Sequence, residues 1–500
     1  MDYVSVQYGG SGGSGYGDFV GIENNGGDLK INHSIINQNN QKGVWQKNGT
    51  TTIDNSVISN HLYFGVMSEN GTTTISNTSI QNNAQSGVYY SGKNLFTLSN
   101  NNFSGNVKTA FINAGADFVH SGNTSTDITN RGFEISGTPK NNSSWNSQDL
   151  PIILYNGYVS VPFGNTLNID PGTIVKLGNI SGNGMLNVDG NLVAHGTNQA
   201  KIYFTSLKDD SVGGDTNGDG NTSTPAPMNW QALVFGPSSN VDFQNVSVSY
   251  GGASIGLPGL GETIYNSGTF NAGSSFFGHN FSSGVFMDSG TTTISHSEFT
   301  AQLYGIRYRG GILSLSNNNF HDNTIFGVLR ESGQTVEAQN NWWGSDTGPN
   351  NVSTSTPTGV GDKVVDNVIY DPWLKRDPTK PINPVIIIPG ILGSAEKDGI
   401  WVIDPIFHVY DNLVDTLLLN GYLLDQTLFT FPYDWRKSNV DTATLLKSKI
   451  DEVKGVCHCA KVDVVAHSMG GLVAQYYAES SQYANDIDNL IFLGTPHKGA

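Results

Sequence analysis

Gly49-Thr50-Thr51-Thr52-Ile53 returns as Gly71-Thr72-Thr73-Thr74-Ile75, an interval of 22 residues, and Gly43-Val44, Gly65-Val66 and Gly87-Val88 recur at the same spacing. A fixed period of about 20 to 50 residues marks units that bury an apolar face only by stacking on their neighbours. Each period holds short apolar runs, such as those around Ile53 and Ile58, separated by Asn and Gly, which tolerate left-handed turns. Three short strands per coil, with coils about 4.8 Å apart, predict a right-handed parallel β-helix. A β-sandwich would instead require paired hairpin signals. The runs Ser99-Asn100-Asn101-Asn102-Phe103 and Ser316-Asn317-Asn318-Asn319-Phe320 predict amide ladders at the turns.

A longer period overlies the short one. Val4 to Gly10 matches Val246 to Gly252, and Gly49 to Ile53 matches Gly290 to Ile294, at offsets of 242 and 241 residues. Two β-helical copies are expected, 1–148 and 149–374. The second carries a lead-in, from about Asp149 to Val241, that the first lacks, so the first copy is expected to have lost its start. Asn340-Asn341-Trp342-Trp343-Gly344, Gly348-Pro349 and Tyr370-Asp371-Pro372-Trp373 resemble the closing coils of bacterial surface β-helix repeat families, a resemblance that spans residues 1 to 375. The tryptophans read as buried caps over the last coil rather than as a sugar-stacking platform.

Composition agrees with a repetitive β structure: of 500 residues only 13% are charged and 61 are glycine. The formal net charge of −17 argues against nucleic-acid partners and anionic membrane surfaces. No apolar run reaches membrane-spanning length. Met1 to Val6 shows no basic segment followed by an apolar one, so no signal peptide is visible. Because the start is expected to be missing, an extracellular or cell-surface location remains the expectation. Cys457 and Cys459 flank one residue, a spacing at which a mutual disulfide is strained and a zinc set incomplete, so both are expected as small loop residues.

The proline-rich segment 375–384 reads as a linker. After it, strand and helix patterns alternate: a strand over 385–388, a helix within 405–419, a strand over 428–431, a helix within 441–453, a strand over 462–465, a helix after Ser468 and a strand over 490–493. Alternation of this kind predicts a parallel sheet covered on both faces. Ala466-His467-Ser468-Met469-Gly470-Gly471 falls between strand and helix, the pattern of a nucleophile elbow, with Ala466 in place of the first glycine. His467, adjacent on the turn, is expected to point elsewhere and serve packing.

Three further segments accompany the elbow: Pro384 to Ser394, Phe431-Pro432-Tyr433-Asp434-Trp435-Arg436, and Leu493-Gly494-Thr495-Pro496-His497-Lys498-Gly499. Together these resemble α/β-hydrolase lipases, most closely the lecithin:cholesterol acyltransferase-like and related families. The resemblance implies an α/β-hydrolase domain over 385–500 with Ser468 as nucleophile and the backbone amides of Met469 and Ile391 as oxyanion hole. His497 is not the base in similar lipases, and Asp434 with Arg436 reads as a structural ion pair. The family order of Ser, then Asp or Glu, then His places acid and base beyond Ala500, so residues 1 to 500 alone are expected to hydrolyse esters negligibly.

The activity this implies is a serine esterase or lipase acting on acyl esters, including lipids, through an acyl-enzyme, with no cofactor required for catalysis; transfer to an alcohol would make it an acyltransferase. The β-helix would then be a scaffold for display, or for contact with polysaccharide or a cell surface. A non-enzymatic adhesin or stalk with a degenerate hydrolase segment is the competing reading. A β-helical polysaccharide lyase or hydrolase would need a recurring cluster of charged residues on one face, which the sequence lacks. Asp215, Asn217 and Asp219 alternate before Gly220 as calcium ligands do, but position twelve is Ala226, so the loop is either a structural calcium site, completed by Asp209 and Asp210, or a solvated turn.

Overall fold

The computed structural model describes every residue except 10–18, 156, 179–183, 254–260, 354–358, 380, 381, 458 and 500. Gly10 of the long repeat, Lys380 and Pro381 of the expected linker, and Ala500 therefore lie outside the described residues. The chain divides into two compact units, Met1–Thr379 and Lys380–Ala500. Among the described residues no helix is long and apolar enough to cross a membrane.

The first unit is a β-helix whose strands pair in parallel with their counterparts one coil away. Ile31, Ile53, Ile75 and Leu98 stand in register along one sheet, and Ala272, Ile294 and Leu315 do so in another. These side chains belong to one buried core that runs from Ile22 to Val368. Asn takes the left-handed turn at several corners, as at Asn55, Asn77 and Asn100, with φ near 50°, and His33, Ser274 and His296 take it in other coils.

The amide ladders are present at two corners. The Asn83 backbone N–H donates to Asn106 Oδ1 (3.0 Å), and the Asn106 N–H to Asp127 Oδ1 (2.9 Å); Asn106 Nδ2 donates both to Asp127 Oδ1 and to the Ile80 carbonyl. At the other corner the Thr78 N–H reaches Asn101, the Asn101 N–H reaches Asn123, and the Asn123 N–H reaches Asp149. Buried backbone donors at the corners have no strand partner, and these side chains supply one. His61, one rung above Asn83, accepts the Asn39 N–H on Nδ1, and burial lowers its pKa to about 4, keeping that nitrogen an acceptor.

The two copies form one unit, but not a simple translation. The sheet that holds Ser86–Tyr90 and Phe133–Ser136 continues through Ile152–Leu154 to Asn319–His321. The repeat counterpart of Ser86–Tyr90 is Phe326–Arg330, which lies in a different, nine-stranded sheet. The coil therefore steps by one face where the lead-in begins. At that step His120, last in the Ile31 register, bonds Asp149 at 2.6 Å with both side chains buried, beside a cavity of about 260 Å³ lined by Phe118 and Trp145. At the far end Trp343 is fully buried and stacks on Phe320 (5.0 Å between ring centres), so it closes the core as a cap.

In the second unit a parallel sheet orders its strands as Leu428–Thr430, Val385–Ile388, Val462–His467 and Ile487–Leu493. Among the described residues three helices accompany it: α1 (Asp411–Leu419), α2 (Asn439–Cys457) and α3 (Met469–Glu479). Leu446, Ile450 and Val453 of α2 and Val473, Ala474 and Tyr477 of α3 share one apolar cluster with Ile386, Ile388 and Val464; Tyr410 packs in a second cluster with Val385, Ile387 and Val465. Side chains alternate across the strands, so each face of the sheet has its own cover. One expectation is corrected here: Cys457 and Cys459 are joined by a disulfide. The two Cα atoms lie 5.2 Å apart, within bonding range.

Asn106→Ala removes the acceptor of a buried N–H and the donor to a buried carbonyl, and is expected to destabilise the β-helix by about 1–3 kcal/mol. Asn102→Ala, at an exposed neighbouring position, is expected to change little. Urea unfolding of the two variants tests this, and equal midpoints would count against a structural role for the ladder.

Candidate active site

Ser468 sits between the strand Val462–His467 and α3, with φ 52° and ψ −123°. A non-glycine residue at positive φ is costly and persists only where its surroundings enforce it. Here the enforcement comes from both sides: the Ser468 N–H donates to the Leu493 carbonyl (2.8 Å), and its carbonyl accepts the Gly471 N–H (3.0 Å). The turn places Ser468 at the C-terminal end of the strand Val462–His467 and at the N-terminus of α3, where the first backbone amides have no acceptor within the helix.

Close packing demands the neighbouring glycines. A Cβ at Gly390 would stand 2.7 Å from Ser468 Cβ, and one at Gly471 would stand 1.9 Å from Thr495 Oγ1. The loop after Val385–Ile388 thus passes directly beside the serine. It turns at Ile391 and Leu392, the latter at φ 60°, and closes with the Gly393 N–H on the Gly390 carbonyl (3.0 Å). Met469 is the first residue of α3, where a backbone N–H has no acceptor within the helix. Ser468, Met469 and the Ile391 loop are therefore neighbours.

The histidines near the serine are engaged elsewhere. His467 Nδ1 lies 2.7 Å from Tyr410 Oη, and His497 Nδ1 lies 2.8 Å from Gln475 Oε1. Among the described residues, no histidine is hydrogen-bonded to the Ser468 hydroxyl. Asp486 is fully buried, but it precedes the strand Ile487–Leu493 and binds Tyr477 Oη with both oxygens. Since Val462 pairs with Ile487 and His467 with Leu493, Asp486 lies a full strand length, about 17 Å, from the serine. Asp434 and Arg436 form a two-pronged ion pair (2.7 and 3.0 Å), and the hydrogen bond from Arg436 holds the carboxyl below its usual range.

Sequence reasoning passed over Tyr410 and underused Tyr433. Tyr410 Oη accepts the Gly390 N–H at 2.9 Å, and Tyr433 Oη donates to the Pro389 carbonyl at 3.0 Å. Burial pushes both phenols up, so both stay protonated. Tyr433 stood in a quoted motif, whereas Tyr410 belongs to none, and only the fold brings it to the loop.

In the first unit, Asp215 and Asp219 are brought together with Asp210, each offering a carboxylate oxygen within 4.8 Å of the others. Asn217, the third member of the expected set, lies beside them: its Nδ2 donates to Asp219 Oδ2 (2.7 Å). Asp209 is turned away, accepting from Thr205 and Ser211. Arg131 Nη1 meets Asp215 (2.7 Å), and Lys176, buried and lowered by desolvation to about 8, donates to the Asp209 and Gly214 carbonyls. Burial and the charge of Asp215 raise Asp210.

Residues 399–500 match the family model described as lecithin:cholesterol acyltransferase. The C-terminal segment is thus similar to that family. Residues 19–161 match the model described as right handed beta helix region. The chain is similar to phospholipase A(1) LCAT3 of Arabidopsis thaliana, 29% identical over 147 residues that make up 26% of this chain and 32% of that protein. It is also similar to the phosphatidylcholine-sterol acyltransferase of Gallus gallus, 30% identical over 158 residues, 30% of this chain and 37% of that protein. The chain thus spans about a third of the length of these curated relatives. No solved structure matches it.

Gly471→Ala forces a methyl group into Thr495 and is expected to destabilise the C-terminal unit by about 1–3 kcal/mol. Gly455→Ala, within α2 and with open space around it, is expected to be neutral or stabilising by up to about 1 kcal/mol. Thermal unfolding of both variants checks the contrast, and Gly471→Ala melting with the parent would contradict the packing described.

Proposed function

We propose that residues 385–500 belong to an α/β-hydrolase domain in which Ser468 attacks the carbonyl carbon of an acyl ester. The observation that carries this reading is the strained Ser468 turn, held against a glycine loop at the C-terminal edge of a parallel sheet. As the serine oxygen bonds to carbon, the carbonyl oxygen gains negative charge, which the amides of Met469 and Ile391 stabilise. The ester C–O bond then breaks, the alcohol leaves with the proton that the serine hydroxyl gave up, and an acyl-enzyme remains. Water releases the fatty acid; a second alcohol gives acyl transfer. Lipid acyl esters are the proposed substrate class, supported by the similarity of the C-terminal segment to a phospholipase and an acyltransferase. The β-helix is proposed as the scaffold that displays this domain outside the cell.

A structural calcium ion, uninvolved in catalysis, is proposed at Asp210, Asp215 and Asp219. Convergent hard oxygens and a buried, unpartnered Asp210 Oδ1 support it.

Fluorophosphonate labelling of the full-length protein is expected to mark wild type and to be lost in Ser468→Ala. Equal labelling of the two, or none in wild type, would overturn the nucleophile and favour an inert stalk. Excess chelator is expected to lower the melting temperature of the β-helix, with calcium restoring it in wild type but not in Asp210→Asn. Melting that is indifferent to calcium would remove the ion from the proposal.

A further inference from the structure

The peptide plane between Pro389 and Gly390 is gripped at both ends by phenols. Its carbonyl accepts the Tyr433 hydroxyl (3.0 Å), and its N–H donates to the Tyr410 oxygen (2.9 Å). Tyr410 in turn reaches His467 Nδ1 (2.7 Å), the residue that precedes Ser468. One buried hydroxyl thus joins the loop to the strand that carries the serine. Tyr410 is itself well anchored. The buried carboxylate of Asp404 accepts the N–H groups of Phe407 (3.2 Å), Val409 and Tyr410 (3.1 Å), while the Asp404 N–H donates to the Gly393 carbonyl (2.9 Å) at the other end of the same loop.

We propose that Tyr410 is a positioning residue for acyl transfer, fixing the loop so that the Ile391 amide faces the oxygen that becomes charged at Ser468. The inference rests on the reading of Ser468 as nucleophile. Its physical basis is the single residue, Gly390, between the clamped peptide and the donor. With the Pro389–Gly390 plane locked, the direction of the Ile391 N–H is set by the two backbone torsions of Gly390. A glycine left unclamped would explore several directions, and an amide helps only if it already points at the developing charge. A phenylalanine at 410 would keep the ring in its apolar pocket but could neither accept from Gly390 nor donate to His467.

The test compares wild type, Ser468→Ala and Tyr410→Phe in the full-length protein. Phosphonylation of Ser468 is followed against probe concentration, and amide exchange at Gly390 is read by NMR. Tyr410→Phe is expected to lower the maximal rate of phosphonylation about tenfold while the half-saturating concentration stays within about twofold. Gly390 exchange is expected to quicken at least about tenfold, and the unfolding midpoint to fall only modestly, as the buried Gly390 N–H loses its acceptor. A merely structural role would likewise lower the midpoint but leave the rate-against-saturation split alone. Should Tyr410→Phe fail to fold, Tyr433→Phe frees the other side of the same peptide and is expected to give the same split.

Labelling lost in Ser468→Ala but unchanged in Tyr410→Phe would overturn the role of Tyr410 and leave the nucleophile standing. Labelling retained in Ser468→Ala would overturn the nucleophile, and the inference with it.

Discussion

Parallel pairing is the constraint from which both units follow. Two parallel strands cannot be joined by a hairpin, so the chain must travel back before it can pair again. In the first unit it does so through two other strands, about 22 residues per coil, and each return path becomes a sheet of its own. In the second unit α2 and α3 make the return and cover the sheet they connect. The first solution builds length and repeated corners; the second leaves strand ends free at one edge, where a loop and a helix N-terminus can meet.

That edge is where the proposed chemistry is concentrated. Ser468 is held at positive φ by hydrogen bonds to Leu493 and Gly471, and the Gly390 loop is drawn against it by Tyr410 and Tyr433. The strain is local, and the support is distributed over four segments distant in sequence. The β-helix bears its polar burden differently. Its buried amides and carboxylates satisfy corner N–H groups rung by rung, so each polar side chain answers a backbone donor one coil away.

Much of this was legible in the residues. A 22-residue interval leaves little choice but a stacked coil, and the strands and helices after residue 384 stand close to where apolar patterning put them. Ser468 and Met469 could be singled out because an elbow needs small residues and a strand-to-helix change within a few positions. The exceptions share a cause. Cys457 and Cys459 are bonded, and the coil steps by one face near residue 149. Each depends on a local backbone path that spacing alone does not specify.

The sequence by itself determined the coil period, the division into a repetitive and an alternating half, and the serine at the turn, since these follow from side-chain size and polarity at fixed intervals. Only the tertiary structure decided which groups surround that serine. Tyr410 lies 57 residues from His467 and 20 from Gly390 and carries no motif. Its role exists only because the segment before α1 folds back beneath the loop, and hydrogen bonds between residues so far apart leave no period or pattern in the chain.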